Sequence, residues 1–405
     1  MRSVEEHQRV VAEMIRARPA IAVALAEAQG LVLADDVLAR LALPVFDNSA
    51  MDGYAVRAED VAAATPEHPV VLPVAEDIPA GRTDELTLRP NTAHRIMTGA
   101  PVPAGATAVV PVEDTDGGLE SGGASVAIRK PRPGGAHIRR AGEDVAPGTT
   151  VLRKGQVVTP AVLGLAAALG MAELPVTPRQ RVLVLSTGSE LVAPGDPLRP
   201  GQIYESNSIM LAGAVRDAGA EVIAVATAED DVAQFSALLD RYAADCDLII
   251  TSGGVSAGAY EVVKDAFGRD GDQGVEFVKV AMQPGMPQGI GRVGGATIVT
   301  LPGNPVSALV SFEVFIRPAL RRAMGLPDPE RPHRPAVLAE SLTSPRGKRQ
   351  FRRAILDREA RSVTSYGPPA SHHLRWLASA NGLLDIPEDV VEVPEGTELQ
   401  VWDLS

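Results

Sequence analysis

The stretch from Arg181 to about Gly325 constrains this chain most, because short apolar runs and helical patterns alternate throughout it. The run VLVLS is followed by a loop and by a helical pattern over about 206–218, with Gly219 placed to close it. EVIAVAT, a helical pattern around 232–243 and the run DLIIT come next. The loop SGGVSAG, another helix, the run TIVTL, the loop PGNP and a helix over 305–324 complete the series. Regular alternation of this kind predicts a doubly wound parallel α/β sheet, whose ligands sit at the carboxyl ends of the strands.

A chain of 405 residues exceeds one typical core, so further domains flank this one. Helical spacing runs through Val10, Val11, Met14 and Ile15, then through Ile21, Leu25 and Ala28 up to Gly30. From Leu43 to about Arg139 β-prone runs such as Val70–Val74 and Ala108–Val112 lie between Pro- and Gly-rich turns, the pattern of a small β domain. Helical pattern returns over 159–169, with Thr159 as N-cap, Pro160 at the first helical position and Gly170 past the end. Helical segments on both sides of a β insert predict one discontinuous domain. The expected division is 1–44 with 140–178, an inserted β domain over 45–139, the α/β domain over 179–326, and a small β domain over 327–405.

The formal charge of −13 argues against general nucleic-acid binding, which needs a basic face to displace counterions. Cys246 is the only cysteine, so neither a disulfide framework nor a Cys-rich metal site can form within the chain. MRSVEEHQRVV lacks the layout of a signal peptide, and the apolar stretch 21–34 is broken by Glu27 and Gly30 and is too short for a bilayer. The expectation is a cytoplasmic protein with neither nucleic-acid nor membrane partners.

Several segments could carry chemistry. In Leu301-Pro302-Gly303-Asn304-Pro305, Asn304 can cap the helix that Pro305 opens, leaving free N–H groups that attract an anion. An ordinary strand–helix turn explains this segment equally well. Ser252-Gly253-Gly254-Val255-Ser256-Ala257-Gly258 can bring backbone N–H groups up to a phosphate or a flat ring, or serve only as a tight turn. Glu190 in STGSE, with Asp230 or Asp231 after EVIAVAT, could hold Mg²⁺ together with substrate phosphates; singly, such acids more often cap helices in solvated loops. Asp52 in FDNSAMDGYAV, Thr98 in RIMTGAP and Asp144 in RRAGED stand in tracts dense in small and polar residues, for which spacing names no mechanism. A basic stretch of Arg346, Lys348, Arg349, Arg352 and Arg353, with Ser371, His372 and His373 beyond, could hold an oxyanion, against the default of a solvated face.

Read together, DNSAMDGYAV, RIMTGAPVP, AVVPVEDT, IRRAGEDV, STGSEL, SGGVSAG and LPGNPVSA, in that order, resemble the MoeA family. This family includes the E domains of gephyrin and of plant Cnx proteins. The resemblance spans residues 46 to 308 and continues more weakly into the C-terminal β domain. It implies an elongated discontinuous domain, an inserted β domain, a MogA-like α/β domain and a C-terminal β-barrel. It also implies a homodimer with an active site shared between subunits. The implied activity is that of a molybdenum insertase, a molybdopterin molybdenumtransferase that converts molybdopterin-AMP and molybdate, with Mg²⁺, to molybdenum cofactor and AMP. A MogA-type adenylyltransferase and apo-molybdoenzymes are the implied protein partners.

By the same resemblance, molybdate would lie near Pro302, Pro305, Arg353 and Ser371, with Lys279 close by. Glu190 and Asp231 would hold Mg²⁺, with Asp230 as the alternative. Asp52, Thr98 and Asp144 would act from the neighbouring subunit. The glycine loop, through Ser252, Gly253, Gly254, Ser256 and Gly258, with Glu261 beyond it, would hold the pterin phosphate or the nucleotide. The chain departs from the family pattern at Glu261, where many relatives have Asp, and at Gln283 and Met286, where many have Lys. The lost positive charge keeps open a non-catalytic molybdopterin- or molybdate-binding paralogue or scaffold. A third reading, adenylylation of molybdopterin by ATP, follows from the MogA-like domain alone.

Overall fold

The structure is a computed structural model that describes residues 1–116, 124–254, 262–268 and 274–405. The chain divides into two compact units. One comprises Met1–Ala22, Gly30–Ala34 and Pro175–Ser405; the other comprises Val23–Gln29 and Asp35–Leu174.

At the centre of the first unit lies a six-stranded sheet in the order Glu221–Ala228, Arg181–Thr187, Leu248–Ser252, Ala296–Leu301, Pro287–Val293, Val275–Lys279. The first four strands are parallel, as the alternation predicts. Side chains of Arg181–Thr187, Leu248–Ser252 and Ala296–Leu301 are nearly all buried on both faces, whereas the edge strand Glu221–Ala228 is partly exposed. Val182 and Val184 pack with Leu211 and Val215 of helix Asn207–Asp217 and with Val306 and Val310, which follow PGNP. Leu183 and Leu185 point the other way, onto Phe235 and Leu239 of helix Val232–Tyr242 and Val263 and Phe267 of helix Val262–Phe267. Period-two alternation thus feeds two cores.

The last two strands run antiparallel and were not expected. PQGIGRV carries two glycines inside its strand. Tertiary packing requires at least one of them, since a Cβ on Gly291 would fall 2.1 Å from the carbonyl oxygen of Gly274. The helix opened by Pro305 runs over Pro305–Ser311, widens into a π-turn over Phe312–Ile316 and continues as Arg317–Ala323.

Helix Val4–Met14 forms as expected, and the Ser3 hydroxyl accepts from the N–H of Glu6 at 3.1 Å. Its Val4 and Val11, with Ile15, join the core under the helix Arg317–Ala323, and His7 sits edge-on to Phe315 at 4.7 Å. This helix therefore packs on the α/β core. The following apolar positions do not continue as helix. Ile21–Ala24 is a strand and Leu25–Glu27 a single tight turn, because Ile21 meets no apolar partner face and stays exposed.

The C-terminal strands close on themselves. Arg349–Asp357, Ser362–Ser365, His333–Leu338, Glu398–Asp403 and Gly382–Ile386 each pair with the next, and the last pairs back to the first. This five-stranded barrel encloses Ala336, Leu338, Ala354, Leu356, Val363, Leu384 and Val401.

The second unit contains a five-stranded sheet in the order Ala108–Pro111, Gly53–Val56, Ala93–Ile96, Val70–Ile78, Ser125–Ile128, which bears out the β texture of the insert. Its helix Pro160–Ala168 has the expected ends: Thr159 Oγ1 accepts from Val162 N–H, and Gly170 takes a φ of +72°. Among the described residues of the chain, no helix is long and apolar enough to cross a membrane.

Candidate functional site

A cleft of about 630 Å³ opens at the carboxyl ends of the parallel strands. Its lining comes from separate stretches of sequence: Ser186–Gly188 and Glu190 after one strand, Asp230 after the next, Ser252–Gly254 after the third, and Gly303–Pro305 after the fourth. The second wall carries Ile203–Asn207, and His372 and Leu374 complete it.

Two of the cleft acids, Glu190 and Asp230, lie on adjacent loops that hold each other. Ser189 N–H donates to Asp230 Oδ2 at 3.2 Å, and Asp230 N–H donates to Ser189 Oγ at 3.0 Å. The structure puts Asp230 on the cleft wall, whereas Asp231 caps helix Val232–Tyr242 by accepting from Gln234 N–H at 2.8 Å. Gly253 needs its φ of +99°, and a Cβ there would lie 2.7 Å from the Thr187 carbonyl oxygen. That close approach explains the glycine after the third strand. Ser256, Gly258 and Glu261 lie outside the described residues.

Sequence reasoning missed the residues that hold these loops together. Asn207 donates from Nδ2 both to Ser252 Oγ at 2.8 Å and to the Gly303 carbonyl at 2.6 Å, joining the glycine loop to PGNP. Its Oδ1 is buried without a partner among the described residues, as is Thr187 Oγ1. Glu205 is buried and accepts from Ser186 Oγ at 2.7 Å, Ser208 N–H at 2.8 Å and Ser208 Oγ. The available signal was an acid three residues before the serine of a predicted helix start. No Lys or Arg lines the cleft among the described residues, while Glu190, Glu205 and Asp230 do.

Positive charge gathers beside it, at the start of the helix after PGNP. Asn304 makes no side-chain cap; Val306 N–H instead donates to the carbonyl of Ser371 at 3.0 Å. Arg353 is buried, and its guanidinium donates to the carbonyls of Pro368, Ala370 at 3.1 Å and His373 at 3.3 Å. The structure thus brings Pro305, Arg353 and Ser371 together. Burial, then the neighbouring Arg352, lowers the pKa of Arg353, and burial lowers that of Arg352. Arg353 has no carboxylate partner among the described residues, whereas the half-buried Arg352 donates to Ser365 Oγ at 2.6 Å and feels the charge of Glu340, so an anion would relieve chiefly the buried Arg353. Both line a crevice of about 10 Å³ with Gln283, Pro284, Val306, Gln350 and Pro369. That space holds at most about one water, so a tetrahedral oxyanion requires it to widen.

The rest of the basic stretch does not join in. Arg349 is neutralised by Asp385, at 2.6 Å, and by Glu5, while Arg346 is exposed. Lys279 is exposed at the end of an edge strand, opposite Pro287, on the carboxyl edge of the sheet and outside the cleft lining. Pro302 is buried beneath the loop.

In the second unit the three polar tracts converge. Asp52 Oδ1 accepts from the Thr98 N–H and hydroxyl, both at 2.6 Å, and these bonds hold its carboxyl below the usual carboxylate range. Asp47 accepts from Arg140 Nη1 at 2.5 Å and from Ala141 N–H at 2.8 Å. Gly99 N–H donates to the Ser49 carbonyl at 2.8 Å, and Asp144 presents an exposed carboxylate two residues beyond Gly142. Asp52 and Thr98 form one hydrogen-bonded pair on the surface.

Comparison with known proteins agrees along the whole chain. The family model for the MoeA N-terminal region (domain I and II) matches residues 2–170, that for a probable molybdopterin binding domain matches 183–322, and that for the MoeA C-terminal region (domain IV) matches 335–404. The chain is 79% identical to molybdopterin molybdenumtransferase 2 of Mycobacterium tuberculosis, covering 100% of both chains. It is 40% identical to molybdopterin molybdenumtransferase of Synechococcus elongatus over 94% of each. Among solved structures it resembles a molybdopterin biosynthesis MoeA protein from Pyrococcus horikoshii, with a TM-score of 0.80 and 30% identity over 100% of this chain and 99% of that one.

Proposed function

The chain belongs to the MoeA family, and from that premise we propose that it is a molybdopterin molybdenumtransferase that transfers molybdenum from molybdate to adenylylated molybdopterin and releases AMP. One observation carries the reading: loops from four separate strand ends meet in a single cleft beside a helix start flanked by Arg353, a buried guanidinium with no carboxylate partner among the described residues, and by the half-buried Arg352. The cleft accommodates the nucleotide and pterin, and the crevice at Val306, Arg352 and Arg353, once widened, takes molybdate.

An anhydride between two phosphates brings negative charge into a cleft that already holds Glu190, Glu205 and Asp230. A divalent cation resolves that conflict. Two cleft-facing acids on interlocked loops suit Mg²⁺, which is usually held by one or two carboxylates plus substrate phosphates. Glu190 and Asp230 would hold it, with Asp231 supporting the loop as a cap. The ion would neutralise phosphate charge and favour departure of AMP. The backbone of Ser252–Gly254 approaches the phosphates closely because no Cβ intervenes, and Asn207 keeps that loop against PGNP. Arg353 acts by holding the Ser371 segment over the helix start while supplying positive potential to an oxyanion. In a homodimer, the Asp52–Thr98 pair and Asp144 would serve the active site of the neighbouring subunit, where a carboxylate of lowered pKa stays ionised and can orient water or the anhydride.

The test uses purified protein with molybdopterin-AMP, Mg²⁺ and molybdate. AMP release that depends on molybdate, and that drops when Glu190→Gln or Asp230→Asn is introduced, supports the assignment. Binding of molybdopterin without any AMP release, beside an active insertase control, overturns it in favour of a carrier. Mixed dimers of an Asp52→Asn subunit with a Glu190→Gln subunit should recover part of the activity; none recovered means the site is not shared.

A further inference from the structure

Aromatic side chains are scarce in this chain, at 3% of residues, and nearly all are packed. Among the described residues only Phe46 and Tyr204 stand clearly exposed, and Tyr204, at 46% exposure, lines the cleft. Its backbone is pinned on both sides. Ile203 N–H donates to the Glu190 carbonyl at 3.0 Å and Glu205 N–H donates to the Val192 carbonyl at 2.9 Å, in a short parallel pairing of Leu191–Val192 with Ile203–Tyr204. The next side chain, Glu205, is locked by Ser186 and Ser208. Yet the Tyr204 ring itself makes no hydrogen bond or ring contact with any described residue. A rigidly mounted, unused aromatic ring faces solvent in a concave site, with Ile203, Leu191 and Leu374 as apolar neighbours along the lining.

Such a surface is unfavourable in water unless a ligand covers it. Glu205 and Asn207, the polar residues that follow Tyr204 on the same wall, are engaged with Ser186, Ser208, Ser252 and Gly303, which leaves the Tyr204 ring as the wall's free apolar surface. We infer that Tyr204 is a specificity-determining residue that stacks on the planar nitrogen heterocycle of the substrate while the backbone of the glycine loop takes its phosphates. This rests on the proposed reading of the cleft and adds to it the group that selects a flat ring. Two rings in the substrate share that chemistry, the adenine and the pterin, and direct binding separates them.

The experiment measures equilibrium binding of AMP with Mg²⁺, and separately of molybdopterin, to wild-type protein, Tyr204→Ala and Tyr204→Phe. Stacking of a base on an aromatic ring predicts that Tyr204→Ala weakens one of the two by roughly five- to a hundredfold. Tyr204→Phe should restore most of the affinity, because the ring and not the hydroxyl makes the contact. In turnover the loss should fall on KM for the pterin substrate, with kcat nearly unchanged and KM for molybdate unmoved. Weakened AMP binding assigns the ring to adenine; weakened molybdopterin binding assigns it to pterin. If both dissociation constants stay within about twofold of wild type, the inference is wrong. If Tyr204→Ala instead lowers the melting temperature by several degrees, Tyr204 is structural and the inference is equally wrong. Failure of wild-type protein to bind either ligand would sink the reading of the cleft as well.

Discussion

Replacing Asn207 by alanine separates stability from function at one residue, and the structure sets the size of each effect. The substitution removes two hydrogen bonds, to Ser252 Oγ at 2.8 Å and to the Gly303 carbonyl at 2.6 Å. At about 1 kcal/mol net for each bond, that destabilises by about 2 kcal/mol. The same substitution deletes Oδ1, a buried acceptor with no partner among the described residues, whose burial costs about 1–3 kcal/mol. The two contributions nearly cancel, so Asn207→Ala should unfold within about 3 °C of wild type. Activity should behave differently. The glycine loop and the PGNP loop lose their only shared side-chain tie among the described residues, and misplacing binding groups by even about 1 Å can cost on the order of a hundredfold in rate. Differential scanning calorimetry and AMP release with molybdopterin-AMP, measured side by side, test this. Asn207→Asp provides the control of opposite sign, because it turns a carboxylate toward the Gly303 carbonyl and should destabilise markedly. A melting point well below wild type for Asn207→Ala, or wild-type turnover with a normal melting point, would refute the reasoning.

Other consequences follow from single contacts. Gly253→Ala places a Cβ 2.7 Å from the Thr187 carbonyl oxygen at a φ of +99°, so it should destabilise by about 1–3 kcal/mol and weaken AMP binding, whereas Gly295→Ala, with open space around it, should do neither. Thr98→Val removes the side-chain hydrogen bond that most lowers the Asp52 pKa, so NMR titration of Asp52 should move up toward the ordinary carboxylate value near 3.9. The stabilising effect of that bond is present above the unfolded-state pKa and is lost as pH falls through the lower folded value; an unmoved titration contradicts the assignment. Burial, aided by the charge on Arg2, lowers the His7 pKa to about 4. The unfolded chain therefore binds the extra proton first, and stability should fall as pH drops from about 6.5 to about 4, by about 3 kcal/mol from this group. Denaturant melts of His7→Leu across that range should show a shallower acid slope than wild type.

Much of the fold could be read from the sequence because it depends on local chemistry. The parallel strands announce themselves as unbroken apolar runs, since a strand covered on both faces has no polar side to show. Helix ends at Thr159–Pro160, Gly170 and Gly219 follow from caps and from backbone angles that only certain residues accept. The candidate ligand segments were visible for the same reason, since glycine after a buried strand reports a local backbone requirement.

Tertiary structure decided what those rules leave open. The strand Pro287–Val293 was not read from the sequence at all, and only a facing backbone explains its Gly291. Asp230 and Asp231 are chemically identical neighbours, and only the direction of helix Val232–Tyr242 puts one on the cleft and makes the other a cap. The arginines of the stretch 346–353 look alike in sequence, but strand pairing sends Arg349 to carboxylates, Arg352 to Ser365 and the neighbourhood of Glu340, and leaves Arg353 buried without a carboxylate partner among the described residues at the helix start. Asn207 carries no local signal at all, because its role is to join loops 45 and 96 residues away along the chain. Residue type and spacing determine which backbone conformations are affordable; which side chains share a cavity depends on contacts between distant segments, and those exist only once the chain has folded.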